Sequence, residues 1–133
     1  MKGKKVILVE DEPDIVITFK AALESEGFEV EVYHDPIIAL SEFKPGYYDL
    51  AILDIKMPEM NGFELYSEMQ KIDKQVSVCF ITAGEMYYEE FRSTQRQNQE
   101  EYCELDLDRF LRKPISNIDL IKRIEKIIST KKD

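Results

Sequence analysis

Four short apolar runs in this 133-residue chain are each followed by a side chain that can do chemistry. Val6-Ile7-Leu8-Val9 leads into Glu10-Asp11, and Leu50 to Leu53 leads into Asp54. Val76 to Ile81 leads into Thr82, and Phe110-Leu111 leads through Arg112 into Lys113-Pro114. If these run ends meet, three carboxylates, a hydroxyl and an ammonium share one place. Gathered carboxylates repel one another and raise at least one pKa unless a hard cation neutralises them. Mg²⁺ suits that task, because it takes oxygen ligands and commonly combines one or two carboxylates with water and phosphate oxygens. An ionised carboxylate can also accept a phosphoryl group as an acyl phosphate. In such a transfer the protein mainly positions groups and stabilises charge, work for which one metal, one lysine and one hydroxyl are suited. No general base is required, since the carboxylate is already the attacking species.

Whether those groups meet depends on the elements that carry them. Each run is short, rich in Val, Ile or Phe, and closed by charged or turn residues, as expected of a strand buried on both faces. A fifth segment, Phe28 to Tyr33, alternates apolar and acidic residues and reads as a strand near a sheet edge. Helical periods lie between the strands. Ile15, Phe19 and Leu23 precede a stop at Gly27; Ile37, Leu40 and Phe43 follow the start signal Asp35-Pro36 and end at Pro45-Gly46. Tyr66, Met69 and Ile72 follow Asn61-Gly62. Ile121, Ile124 and Ile128 follow Ser116 and Asp119, which occupy capping-box positions. Strands alternating with helices imply a parallel sheet covered on both faces, with its functional crevice at the carboxyl ends of the strands. Five strands and five helices fill a single domain over residues 1–133, its core at 4–130. The long connection at 85–108 carries Tyr87, Phe91, Thr94, Asn98 and Tyr102 at helical spacing. It reads as a solvated helix with a weak buried edge, the alternative being a partner-binding face.

Composition narrows the function. A chain of this size buries roughly 68% of its unfolded surface and needs no disulfide or structural zinc. With 18 Lys+Arg against 27 Asp+Glu the formal net charge is −9, a field that opposes direct contact with nucleic acid. Cys79 and Cys103 have no metal-ligand spacing and read as free thiols of a reducing compartment, with an apposed pair as the alternative. Val6 to Val9 is too short for a signal sequence or a membrane span. These features favour a soluble, cytoplasmic protein without membrane insertion.

The same residues carry a resemblance. The acidic pair Glu10-Asp11 after Val6 to Val9, Asp54 followed by Met57-Pro58-Glu59-Met60-Asn61-Gly62, then Thr82-Ala83, and Lys113-Pro114 after Phe110-Leu111-Arg112 together resemble the receiver domains of two-component response regulators. This is the same module as the single-domain chemotaxis regulator. The match spans about Lys4 to Thr130. It implies a flavodoxin-like α/β fold, a doubly wound five-stranded parallel sheet in the order 2-1-3-4-5 with helices on both faces.

By that resemblance Asp54 is the phosphoacceptor, charged from the phosphohistidine of a sensor histidine kinase or phosphotransfer protein. Mg²⁺, or Mn²⁺ in its place, is held by Asp11, Glu10, Asp54 and the backbone carbonyl of Lys56. Lys113 pairs with a phosphoryl oxygen, and Thr82 turns inward to bond the phosphoryl group, opening space for the aromatic Phe110. A cis Lys113-Pro114 peptide is also implied. The chain departs from the family pattern at Glu10, where Asp is commoner, and at Phe110, where Tyr is usual. Leu105-Asp106-Leu107 replaces a Gly-Ala step, and the connection before the fifth strand is long. The last two departures fall on the surface the family uses for signalling, so the downstream protein target stays open, as does homodimerisation.

The favoured reading is a stand-alone phosphoacceptor switch that catalyses only its own phosphorylation and dephosphorylation. A phosphate sink or relay is equally compatible. An aspartyl-nucleophile phosphatase resembling haloacid dehalogenases is disfavoured, because Lys56 stands where those enzymes place a second Asp. A degenerate receiver is disfavoured by the presence of Asp11, Asp54, Thr82 and Lys113. His34, the single histidine, is placed away from the pocket.

Overall fold

The computed structural model describes residues 3–82 and 109–130 of the chain. Nine elements are formed there: β1 (Lys5–Val9), α1 (Pro13–Ser25), β2 (Glu29–Tyr33), α2 (Pro36–Glu42), β3 (Leu50–Asp54), α3 (Gly62–Ile72), β4 (Ser77–Thr82), β5 (Phe110–Arg112) and α4 (Asn117–Thr130). The fifth helix expected at 85–108 lies outside the described residues, as does Cys103.

The strands form one parallel sheet in the order β2-β1-β3-β4-β5, as expected. β1, β3 and β4 are interior strands, and Val6 to Val9, Leu50 to Leu53 and Val78 to Ile81 are all buried. Side chains of a strand alternate between faces, so the sheet organises two cores. Ile7, Val9, Ala51, Leu53, Val78 and Phe80 pack with Ala39 of α2 and with Phe63, Leu65, Tyr66 and Met69 of α3. On the other face Val6, Leu8, Leu50, Ile52, Cys79 and Ile81 meet Phe19 and Leu23 of α1 and Leu120, Ile124 and Ile128 of α4. Both faces are therefore covered. Cys79 is a free thiol in the second core, where burial pushes its pKa up to about 12 and keeps it protonated.

Strand boundaries follow the apolar runs closely, with Phe28 and Val76 buried just before β2 and β4. Helix faces keep the expected stripes at Phe19 and Leu23, Phe43, Tyr66 and Met69, and Ile124 and Ile128, and depart from them at Ile37 and Ile72. Pro36 and Ala39 turn inward on α2 while Ile37 is exposed, and Ile72 is exposed at the end of α3. On α2 the small Ala39 approaches the sheet where the larger Ile37 does not. Helix starts are marked as the sequence suggests. Asp35 accepts hydrogen bonds from the backbone N–H groups of Ile37 and Ile38, and Ser116 Oγ accepts one from Asp119 N–H. Asn61 and Glu64 complete a reciprocal capping box at α3. No described helix is long and apolar enough to cross a membrane.

Candidate functional site

Parallel strands end on one side of the sheet, and adjacent register brings those ends level. Glu10 directly follows β1, Asp54 closes β3, Thr82 closes β4 and Lys113 directly follows β5. The pairing of Asp54 with Ile81 and of Thr82 with Arg112 places β3, β4 and β5 within one residue of a common edge. The Lys113 N–H donates to the Thr82 carbonyl at 2.7 Å, extending the ladder by one residue and fixing where the lysine leaves the sheet. The Lys113-Pro114 peptide is cis, as the resemblance implied.

The side chains converge accordingly. Carboxylate oxygens of Glu10, Asp11 and Asp54 lie within 4.8 Å of one another. Glu10 is fully buried, Asp54 is 4% exposed and Asp11 is open to solvent. Lys113 Nζ donates to Glu10 Oε1 at 3.0 Å and to Glu12 Oε1 at 3.1 Å, and stands 3.6 Å from Asp54 Oδ2. Thr82 is buried beside them, and Lys56 points its side chain to solvent.

Electrostatics at this edge are set by burial. Loss of water pushes the Glu10 carboxyl up to about 7; the Lys113 ammonium opposes the shift and the Asp54 charge adds to it. Asp54 is also raised by burial and by Asp11, against the Lys113 ammonium and a hydrogen bond from the Lys56 backbone N–H. Burial works against charge on Lys113, yet its bonds to Glu10 and Glu12, with Asp54 beyond them, hold its pKa above the ordinary lysine value. One ammonium does not fully compensate the acids. Glu10 Oε2 is buried with no hydrogen-bond donor against it. An orphaned carboxylate oxygen beside two further carboxylates is a donor set that a hard divalent cation fits.

The loop after Asp54 is tightly drawn. The Ile55 N–H donates to the Ile81 carbonyl, and the Gly62 N–H returns to the Ile55 carbonyl at 2.9 Å. Between them Glu59 has a φ of 71°, and the Met60 N–H donates to the Pro58 carbonyl across this three-residue turn. Such a φ is uncommon for a residue with a side chain. Closure brings Gly62 against β3, where an added Cβ would meet the Asp54 carbonyl oxygen at 2.6 Å and the Ile55 Cα at 3.1 Å. Both neighbours are backbone and cannot swing aside. Gly62→Ala is therefore expected to destabilise the fold by about 1–3 kcal/mol, the usual cost of overpacking. It should also displace Asp54. Chemical denaturation checks the first effect, and Mg²⁺ titration followed by amide chemical shifts of Asp54 checks the second.

The edge differs from the sequence reading in two places. His34 is not remote: its Nδ1 is 3.1 Å from the carbonyl oxygen of Glu10, because β2 ends beside β1 at the same sheet edge. Glu12 was given no role, yet it is a direct partner of Lys113. The one signal for it was its place as a third acid in Glu10-Asp11-Glu12. Phe110 is half-buried and stacks on Phe80 with ring centroids 5.3 Å apart, beside Phe63 at 6.3 Å.

Residues 6–125 match the family model described as the response regulator receiver domain. The chain belongs to this family. Among curated proteins, this receiver is 33% identical over 128 residues to the aerobic respiration control sensor protein ArcB of Escherichia coli, covering 96% of the chain and 16% of that protein. It is 27% identical over 124 residues to the transcriptional regulatory protein RprY of Bacteroides fragilis, covering 93% of the chain and 49% of RprY. The receiver thus spans half or less of the length of these relatives. Among solved structures, the non-phosphorylated HemR receiver domain from Leptospira biflexa superposes with a TM-score of 0.79 at 28% identity, covering 98% of both chains. A CheY-like receiver domain protein from Methanospirillum hungatei shares the fold, with a TM-score of 0.69 at 21% identity over 96% of this chain and 95% of that one. Receiver domains are signalling switches that interact with histidine kinases or phosphotransfer proteins, and they bind Mg²⁺ at an acidic pocket.

Proposed function

We propose that this receiver accepts a phosphoryl group on Asp54 and that the charged state switches a protein-interaction surface. One observation carries the reading: a nearly buried Asp54 carboxylate stands 3.6 Å from the Lys113 ammonium and inside the carboxylate triad with Glu10 and Asp11. Asp54 is the nucleophile. A carboxylate oxygen forms a new P–O bond, the P–N bond of the donor phosphohistidine breaks, and its electron pair returns to the imidazole nitrogen, which is protonated from solvent. Glu10, Asp11, Asp54 and the backbone carbonyl of Lys56 would hold Mg²⁺ or Mn²⁺. Such a cation supplies charge neutralisation for the acids and for the incoming phosphoryl oxygens. Lys113 contributes a mobile ammonium that transfers its pairing from carboxylate to phosphoryl oxygen.

Thr82 and Phe110 connect the chemistry to the surface. Thr82 ends the strand beside Asp54, and Phe110 lies on β5 against Phe80, whose backbone is two residues before Thr82. Inward rotation of the Thr82 hydroxyl to the phosphoryl group opens space into which the Phe110 ring turns. A phosphoryl group then shifts a population between two arrangements of the β4-β5 edge. Residues 4–130 act as this switching unit in the cytoplasm, and a chain with net charge −9 passes its state to a protein rather than to nucleic acid.

The test is incubation of the protein with Mg²⁺ and acetyl phosphate, read by intact mass and by hydroxylamine sensitivity. One hydroxylamine-labile phosphoryl group per chain is expected, and EDTA should prevent its appearance. Absence of modification with Mg²⁺ present overturns the reading. Sustained turnover of organic phosphates would replace it with a hydrolase.

A further inference from the structure

The Lys113 ammonium is shared among three carboxylates, and its two short contacts are not to the acceptor. It lies 3.0 Å from Glu10, 3.1 Å from Glu12 and 3.6 Å from Asp54. Glu12 differs from the other two in place and exposure. It stands outside the triad of Glu10, Asp11 and Asp54, and its side chain is 60% exposed at the rim. It occupies the N-cap of α1 but makes no capping hydrogen bond, so the helix end does not account for its orientation. Its side chain instead accepts a hydrogen bond from the lysine. Because Glu12 is outside the triad, a cation held by the triad leaves its charge free to keep the lysine.

We propose that Glu12 is a positioning residue that competes with Asp54, and then with the phosphoryl oxygens, for the Lys113 ammonium. The inference rests on the reading of Asp54 as the phosphoacceptor. Lys113 aids transfer only to the extent that its charge reaches the equatorial oxygens of the group in flight. Every conformer in which Nζ stays with Glu12 withholds that charge. Glu12 therefore slows both the uptake of the phosphoryl group and its hydrolytic loss from Asp54, since both pass it through the same in-flight arrangement. A half-exposed ion pair is modest, so releasing it is expected to raise the rates of uptake and of hydrolysis by up to about fivefold.

Three proteins separate this contact from a general effect of rim charge: wild type, Glu12→Gln and Glu12→Asp. The Asp variant keeps the charge and loses one methylene of reach. Uptake from acetyl phosphate at saturating Mg²⁺ and decay of the purified phosphoprotein are followed by intact mass, and the chemical shift of the Lys113 side chain reports its pairing. Both variants are expected to gain and to lose the phosphoryl group faster than wild type, with the Lys113 resonance moved in both. The proposal is overturned if neither variant differs from wild type, if only Glu12→Gln does, or if both are slower, since Glu12 would then present the lysine instead of withholding it. Wild-type uptake keeps the two readings apart. A wild type that gains no phosphoryl group refutes the role of Asp54, whereas equal uptake by all three refutes the role of Glu12 alone.

Discussion

Asp54→Asn is expected to take up no phosphoryl group from acetyl phosphate under conditions that charge the wild type, while becoming more stable in the absence of metal. Loss of uptake follows from the chemistry. A carboxamide oxygen lacks the negative charge of the attacking group, and no other carboxylate has the same relation to Lys113: Asp11 is open to solvent, and Glu10 is engaged with the lysine at 3.0 Å. The gain in stability follows from the electrostatics. Asp54 and Glu10 are both raised above their ordinary values, mainly by burial, so folding favours their neutral forms. Asparagine keeps the size of the side chain and removes one of the opposed charges, and Lys113 retains Glu10 and Glu12. Intact mass reads the first effect, and thermal unfolding in EDTA at pH 8 reads the second as a higher Tm. Labelling that persists in Asp54→Asn would remove Asp54 as the acceptor. A lower Tm would show that Lys113 more than compensates the carboxylates.

The second large effect is a pH dependence of cation binding. Glu10 must be ionised to act as a ligand, and burial pushes its carboxyl from the ordinary 4.5 up to about 7. Below pH 7 a cation therefore displaces a proton when it binds. Mg²⁺ affinity is expected to fall by about tenfold for each pH unit below 7 and to level off above about 8, as required by release of one proton per cation. Calorimetry in buffers of different ionisation enthalpy measures that proton directly. The sign for stability runs the other way. The folded pKa of Glu10 lies above its unfolded value, so the contribution to the metal-free protein is present below pH 4.5 and is lost as the pH rises through 7. Mg²⁺ should restore most at high pH, so the Tm increment on adding Mg²⁺ should be larger at pH 8 than at pH 5.5. In Glu10→Gln the pH dependence between 5 and 8 should flatten. An affinity that does not vary across this range would mean that Glu10 is not neutralised by the cation.

Much of the fold was legible because local and long-range requirements agree at the buried strands. Val6 to Val9, Leu50 to Leu53 and Val78 to Ile81 are apolar at every position, which suits strands covered on both faces. The charged or hydroxyl residue ending each run marks the point where the chain leaves the core. Helix faces were legible too, apart from Ile37 and Ile72. Ala39 and Pro36 bury on α2 while the larger Ile37 stays in water, because distance to the sheet selects side-chain size there and hydrophobicity alone does not.

The sequence by itself determined which chemistry-bearing groups end the strands: Glu10 and Asp11, Asp54, Thr82 and Lys113. Strand ends are local events, set by where an apolar run meets a polar residue, so they can be read without knowing the neighbours. Only the tertiary structure decided how those groups share charge. The bonds from Lys113 to Glu10 and Glu12 join residues about a hundred positions apart, the contact of His34 with the Glu10 carbonyl comes from β2 lying beside β1, and the close approach of Gly62 to Asp54 comes from the return of a loop onto β3. Each depends on distances of a few ångströms between segments whose separation along the chain carries no information about their separation in space. The raised pKa of Glu10 belongs to the same class, because the desolvation behind it exists only once both cores have closed around the sheet.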